Sequence, residues 1–286
     1  MNNVVKRVLL TLIGIPLLFS VIFFLDVAHH LPLAVVVVVF ILFGAYESYR
    51  LLSLVRVTVD ESSYRWFLPP WVTAIFPIAA YVEHVIDTDI ELVTMVLITL
   101  VTVITLIEII RGADDDYRYS GARIGRQLIA LLYPAFPVIY LIKMTQWDNS
   151  GWLIGLFFLL IFANDIFAYL FGMFLGKGSR NVFKVSPKKS VVGFLGGTLM
   201  TVVIGFCYLL ILPETLPGIS WLFLLFLFVI ISITANIGDL FESVLKRHAN
   251  VKDSGTLIPG RGGVLDTIDS IVFSAPFFFH LLDYLL

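Results

Sequence analysis

The sequence predicts an all-α, polytopic integral membrane bundle of about nine transmembrane helices. Three observations predict it. The 286 residues are 59% hydrophobic and only 14% charged, against about 25% charged in ordinary soluble domains. Their mean hydropathy is +0.97. Apolar runs of about 20 residues, the length a bilayer crossing needs, recur along the whole chain. A soluble domain of this size cannot hide so much apolar surface from water.

The runs fall at 8–27, 32–50, 67–82, 92–110, 127–144, 152–172, 191–212, 220–241 and 264–285. The first follows Lys6 and Arg7. It is long, no small-residue cleavage site follows it and further runs come after, so it reads as an uncleaved span. The second is valine-rich and closes on Glu47 and Arg50. The third and fifth hold prolines, Pro69, Pro70 and Pro77 in one and Pro134 and Pro137 in the other. Membrane helices tolerate proline where neighbours satisfy the freed carbonyls. The fourth ends on Glu108 and Arg111, and the sixth carries Asn164 and Asp165 near its middle. The seventh follows a basic segment, the eighth ends near Asp239, and the ninth opens after a glycine pair.

With nine spans, 18 of the 19 lysines and arginines fall on one side, Lys143 being the exception. The excess of basic residues in cytoplasmic loops then predicts a cytoplasmic N-terminus and a multi-pass inner-membrane protein. No repeat or linker divides the chain, and residues 1–286 read as a single membrane domain. Within it, 1–150 supply N-terminal helices and 151–286 the helices that carry the chemistry. The single cysteine, Cys207, excludes an intrachain disulfide and a cysteine metal site. Basic segments hemmed between spans exclude nucleic acid as a partner. A secondary transporter would show repeated halves.

Ionisable groups inside spans cost about 2.5–3.5 kcal/mol each and are functional candidates by default. Glu108 reads as a pair with Arg111 three residues on, and Glu47 as a rim carboxylate near Arg50. Asp266 and Asp269 share one helix face, and Asp239 and Glu242 repeat that spacing on the preceding span. Such anions repel unless a cation sits between them, and oxygen donors without nearby His or Cys suit Mg²⁺. The loop between, 243–263, interleaves Lys246, Arg247, Lys252 and Arg261 with Gly255, Gly260, Gly262 and Gly263. Glycines let a backbone wrap phosphates and cations neutralise them. That is the equipment of phosphoryl transfer, where catalysis is mostly positioning and charge neutralisation. Lys188 and Lys189, before a helix start near Gly193, form a second candidate anion site.

The stretch Ser243 to Asp269 resembles the signature of the phosphatidate cytidylyltransferases, the CDP-diacylglycerol synthases. Ser243, Lys246 and Arg247 fill its S-x-x-K-R, and Lys252, Asp253 and Gly255 its K-D-x-G. Pro259, Gly260, Gly262 and Gly263 fill P-G-H-G-G apart from its histidine, which is Arg261 here. Asp266 and Asp269 fill D-R-x-D, with Thr267 in place of the arginine. The resemblance implies transfer of CMP from CTP to phosphatidic acid, giving CDP-diacylglycerol and pyrophosphate for phospholipid biosynthesis. It implies catalytic roles for Asp239, Asp253, Asp266, Asp269, Lys246, Arg247 and Lys252. Ser243, Arg261, Gly262, Gly263, Lys188, Lys189, Asn164 and Asp165 would bind substrate, and Asp239, Asp266 and Asp269 would hold Mg²⁺. The partners are then CTP, phosphatidic acid and membrane lipid, at a site facing the cytoplasm. A second, monovalent cation and a homodimer stay open. The alternatives are a CTP-dependent lipid kinase acting on a polyprenol or phytol, which would release CDP, and a diverged paralogue of weak activity.

Overall fold

The computed structural model describes residues 3–25, 27–54, 68–86, 90–176, 183–187 and 189–286, with the backbone alone over 3–11. Ten α-helices run through these residues. They are α1 (Asn3–Phe23), α2 (Leu31–Leu54), α3 (Ile75–Ile86), α4 (Leu92–Gly112) and α5 (Ser120–Leu132). Then come α6 (Ala135–Lys143), α7 (Ser150–Leu175), α8 (Val191–Ile211), α9 (Trp221–His248) and α10 (Leu265–Asp283). The described residues hold no strand, in keeping with the all-α expectation.

Among the described residues, seven stretches are long and apolar enough to cross a membrane: Leu31–Leu54, Leu92–Asp115, Ser120–Gln146, Ser150–Leu175, Val191–Ile211, Trp221–His248 and Leu265–Asp283. They fall on seven of the nine predicted runs. At the other two positions lie α1, of 21 residues with side chains described from Leu12 on, and the shorter apolar helix Pro70–Ile86. Proline explains the second of these. Pro70 sits at a helix start, where its missing N–H is not needed. The turn Pro70–Ala74 that it opens is a 3₁₀ turn running into α3. The fifth predicted run breaks at Tyr133 and Pro134 into α5 and α6, because proline cannot donate the next intrahelical bond.

Lipid solvates apolar side chains as well as a protein core does, so close fit and interhelical hydrogen bonds decide how these helices pack. The most extensive contacts join α7 to α8 and α9 to α10. Phe157 of α7, Phe228 of α9 and Phe278 of α10 are fully buried. A polar chain stitches α7, α8 and α9 together. Ser232 Oγ donates to Asn164 Oδ1 at 2.7 Å, Asn236 Nδ2 donates to the same oxygen at 3.1 Å, and Thr198 meets Ser232 at 2.8 Å. Ser190 caps α8 by accepting from Gly193 N at 3.1 Å.

Charge is also paired away from the C-terminal helices. Arg123 of α5 donates to Glu108 of α4 at 2.9 and 3.0 Å through Nε, and to Asp115 at 2.5 Å through Nη1. Glu108 is thus held across helices and not by its neighbour Arg111 alone, as its sequence spacing suggested. The helix α9 has 28 residues, about 42 Å at 1.5 Å per residue. It overruns a hydrocarbon layer of about 30 Å. Its last turn carries Lys246, Arg247 and His248, cations that complement the negative end of the helix dipole.

Candidate active site

The end of α9, the loop after it and the start of α10 gather most of the predicted residues. Asp239 and Glu242 of α9 face Asp269 of α10, with carboxylate oxygens all within 4.8 Å of one another. Glu242 is fully buried, Asp269 is buried and Asp239 is partly open. Lys246, one turn along α9, donates to Glu242 Oε2. Glu242 Oε1 is buried without a hydrogen-bond partner. An orphaned buried carboxylate oxygen is costly, and three close anions at low dielectric repel. An oxygen-only donor set with a free oxygen fits a hard dication.

The expected ligand set was Asp239, Asp266 and Asp269; here Glu242 joins Asp239 and Asp269, while Asp266 faces Glu242 and shares Lys246 with it. Asp266 Oδ1 accepts from Lys246 Nζ at 2.6 Å. Its Oδ2 accepts from Ser254 N at 2.9 Å and Gly263 N at 2.8 Å, and lies 2.9 Å from the Ser254 hydroxyl oxygen. The reason is position. Asp266 occupies the first turn of α10, where backbone N–H groups have no intrahelical acceptor and compete for a nearby carboxylate. Lys246 is shared between the two acidic residues and so bridges the dication candidate to the loop.

The other predicted residues surround this centre. Lys189 is ion-paired with Asp239. Ser243 directs its hydroxyl at Asp239 at 3.5 Å. Asp165 of α7 is exposed and within electrostatic reach of Asp239, Lys189 and Arg261. Asn164 is buried, its amide oxygen held in the polar chain between helices. Arg247 points to the rim, donating to Val185 O at 3.4 Å and Val251 O at 3.3 Å. That ties the segment before α8 to α9. Lys252, Asp253 and Arg261 are exposed on the loop. Arg261 rides a small turn closed by Ile258 N to Gly262 O at 2.8 Å, in which Gly262 has φ +115°, a left-handed conformation that suits glycine. Lys188 lies outside the described residues.

Two residues escaped the sequence reading. Tyr133, at the break between α5 and α6, is buried against Phe241 and Phe273, and its hydroxyl has no partner. Its nearest sequence signal is the proline that follows. Glu47 is not a rim carboxylate. It is buried at 5% exposure and accepts from Ser254 Oγ at 2.8 Å, Val264 N at 3.1 Å and Leu265 N at 2.9 Å.

Taken together, buried carboxylates straddle two helices, one lysine bridges them, and a glycine-rich loop carries further cations. Such a site can hold a divalent ion and neutralise phosphate oxygens. A relative named phosphatidate cytidylyltransferase from Bacillus subtilis (strain 168) is 36% identical over 162 residues. That match covers 56% of this chain and 58% of the relative, so the chain spans less than two thirds of its length. A second of the same name, from Rickettsia bellii, is 36% identical over 168 residues, covering 58% of this chain and 72% of the relative. An Escherichia coli protein, the uncharacterized YnbB, is 41% identical over 137 residues, covering 48% and 44%. A family model described as the cytidylyltransferase family matches residues 5–285, almost end to end. The chain belongs to the cytidylyltransferase family.

Proposed function

We propose that this protein transfers CMP from CTP to phosphatidic acid, giving CDP-diacylglycerol and pyrophosphate. The observation that carries the reading is the meeting of Asp239, Glu242 and Asp269 next to Lys246 of α9 and a loop that holds Arg261 and the signature glycines. An oxygen of the lipid phosphate attacks the α-phosphorus of CTP. A new P–O bond forms there while the bond to the β-phosphate bridging oxygen breaks, and pyrophosphate leaves with that electron pair. The nucleophile is already an anion, so no strong general base is needed. The difficulty is bringing two polyanions together.

Asp239, Glu242 and Asp269 are the residues to hold Mg²⁺, which when bound supplies positive charge to the phosphate oxygens. Lys246 bridges the acidic cluster and the loop, and is placed to shift toward phosphate as the negative charge around it is balanced. Arg261, Lys252 and Arg247 line the rim as clamps, and Lys189 faces the same centre from the segment before α8. Asp266 holds the loop in register with α10. The sequence orientation puts this rim at the cytoplasmic face of the inner membrane, where CTP arrives from water and the lipid from the inner leaflet.

The test is a liposome assay with phosphatidic acid, radiolabelled CTP and Mg²⁺. CDP-diacylglycerol and pyrophosphate formed in equal amounts, and lost on chelation, support the reading. Release of CDP with a phosphorylated lipid alcohol would assign a kinase instead, and absence of both products would sink it.

A further inference from the structure

Glu47 sits on α2, far in sequence from the signature, yet among the described residues its carboxylate is hydrogen-bonded into that signature. Its partners Ser254, Val264 and Leu265 are 207, 217 and 218 residues along the chain. Val264 is the residue that enters α10 and makes no side-chain cap bond itself, while Ser254 Oγ takes Asp266 N at 3.3 Å. The first N–H groups of a helix have no intrahelical acceptor. Glu47 supplies one from another helix, with Oε1 taking Val264 N and Oε2 taking Leu265 N. A carboxylate is also the charge that a helix N-terminus favours.

The carboxylate passes between two signature glycines. A Cβ placed on Gly255 would run into Glu47 Oε1, and one placed on Gly263 would run into both Glu47 Oε2 and the Ser254 hydroxyl. Space at these two positions, which the sequence reading gave to phosphate, is filled by a side chain of the protein. The same Ser254 hydroxyl that meets Glu47 also meets Asp266 at 2.9 Å. One short path therefore runs from α2 through Ser254 to Asp266, and along the first turns of α10 to Asp269.

We infer that Glu47 is a positioning residue: a clip from the N-terminal half that fixes the signature loop and the start of α10 so that the α10 carboxylates meet those of α9. The role rests on the proposed function only for its effect on turnover. The clip itself is a statement about the loop.

Two arms test it on purified full-length protein. In the first, trypsin digests detergent-solubilised protein without substrate. Glu47→Gln keeps the volume and Glu47→Ala removes the group. Both should speed cleavage after Arg261 by about fivefold or more, while cleavage after Lys184, which Glu47 does not touch, stays within about twofold. Unchanged cleavage at Arg261, or equal acceleration at both sites, overturns the clip. In the second arm, Glu47→Gln should lower turnover about tenfold or more and raise the Mg²⁺ needed for half-maximal rate about fivefold. A variant that is slower with an unchanged Mg²⁺ requirement has a structural role only. Gly255→Ala should be severe with Glu47 present and cost little more once Glu47→Ala has cleared the space. Independent, multiplying losses would mean the carboxylate does not lie there. Wild-type protein that makes no CDP-diacylglycerol would remove the proposed function and leave the clip to the cleavage arm.

Discussion

Two clusters of charge sit in this apolar bundle, and they are built on opposite plans. Between α4 and α5, Arg123 serves both Glu108 and Asp115, with Arg111 close by, so two cations face two carboxylates. Glu108 takes three contacts from one guanidinium. Between α9 and α10, among the described residues, Asp239, Glu242 and Asp266 are ion-paired with Lys189 and Lys246, Asp269 lies beside them, and Glu242 keeps an oxygen without a donor. The first cluster is complete within the protein. The second holds more carboxylates than cations among the described residues. In a membrane, where a buried charge is costly, an unbalanced cluster is a stronger sign of function than the mere presence of charge.

The contrast can be broken in order of expected effect. Asp269→Asn should cut CDP-diacylglycerol formation by about a thousandfold, as loss of a preorganised electrostatic element does. Thermal unfolding of that variant without Mg²⁺ should be unchanged or raised, because a repelling carboxylate is gone. A stable variant with full turnover would end the comparison. Glu108→Ala should do the reverse. Removing one partner of a buried pair costs about 3 kcal/mol, which detergent melting would read. Activity per folded molecule should stay within about twofold. A large loss of turnover at unchanged stability would mean that the α4–α5 pair is more than a brace. The smallest effect is at the rim. Arg261→His should lower kcat/KM for CTP about tenfold, near the value of one charge-assisted contact. Adding Thr267→Arg should restore most of it. If either single change leaves CTP use untouched, the two positions do not compensate.

The fold class and the chemistry-bearing stretch were legible because both depend on local pattern. Hydropathy marks a span within its own 20 residues, and Ser243 to Asp269 carries its spacing on its face. The number of long helices was less legible. Pro70 and Pro134 alter a helix through a single missing donor, and whether a neighbour compensates is decided by packing. The ligand grouping was half legible. The i, i+3 pairs predicted four clustered carboxylates, but which three converge depends on how α10 is rotated against α9. Asp266 is drawn off by Ser254 and Gly263. Glu47 was not legible at all, since the groups its carboxylate bonds lie 207, 217 and 218 residues away. Arg50 beside it offered a nearer and misleading partner.

The length of α9 has a kinetic consequence under the proposed activity. A helix of about 42 Å that outruns a hydrocarbon layer of about 30 Å sets Lys246 and Arg247 at headgroup depth. A lipid substrate bound there never leaves its leaflet and reaches the site by two-dimensional diffusion. Its effective concentration is a mole fraction in the membrane and not a molarity. Diluting phosphatidic acid with inert lipid at constant bulk amount should slow the reaction, whereas adding more vesicles of the same composition at fixed protein per vesicle should not change the rate per molecule.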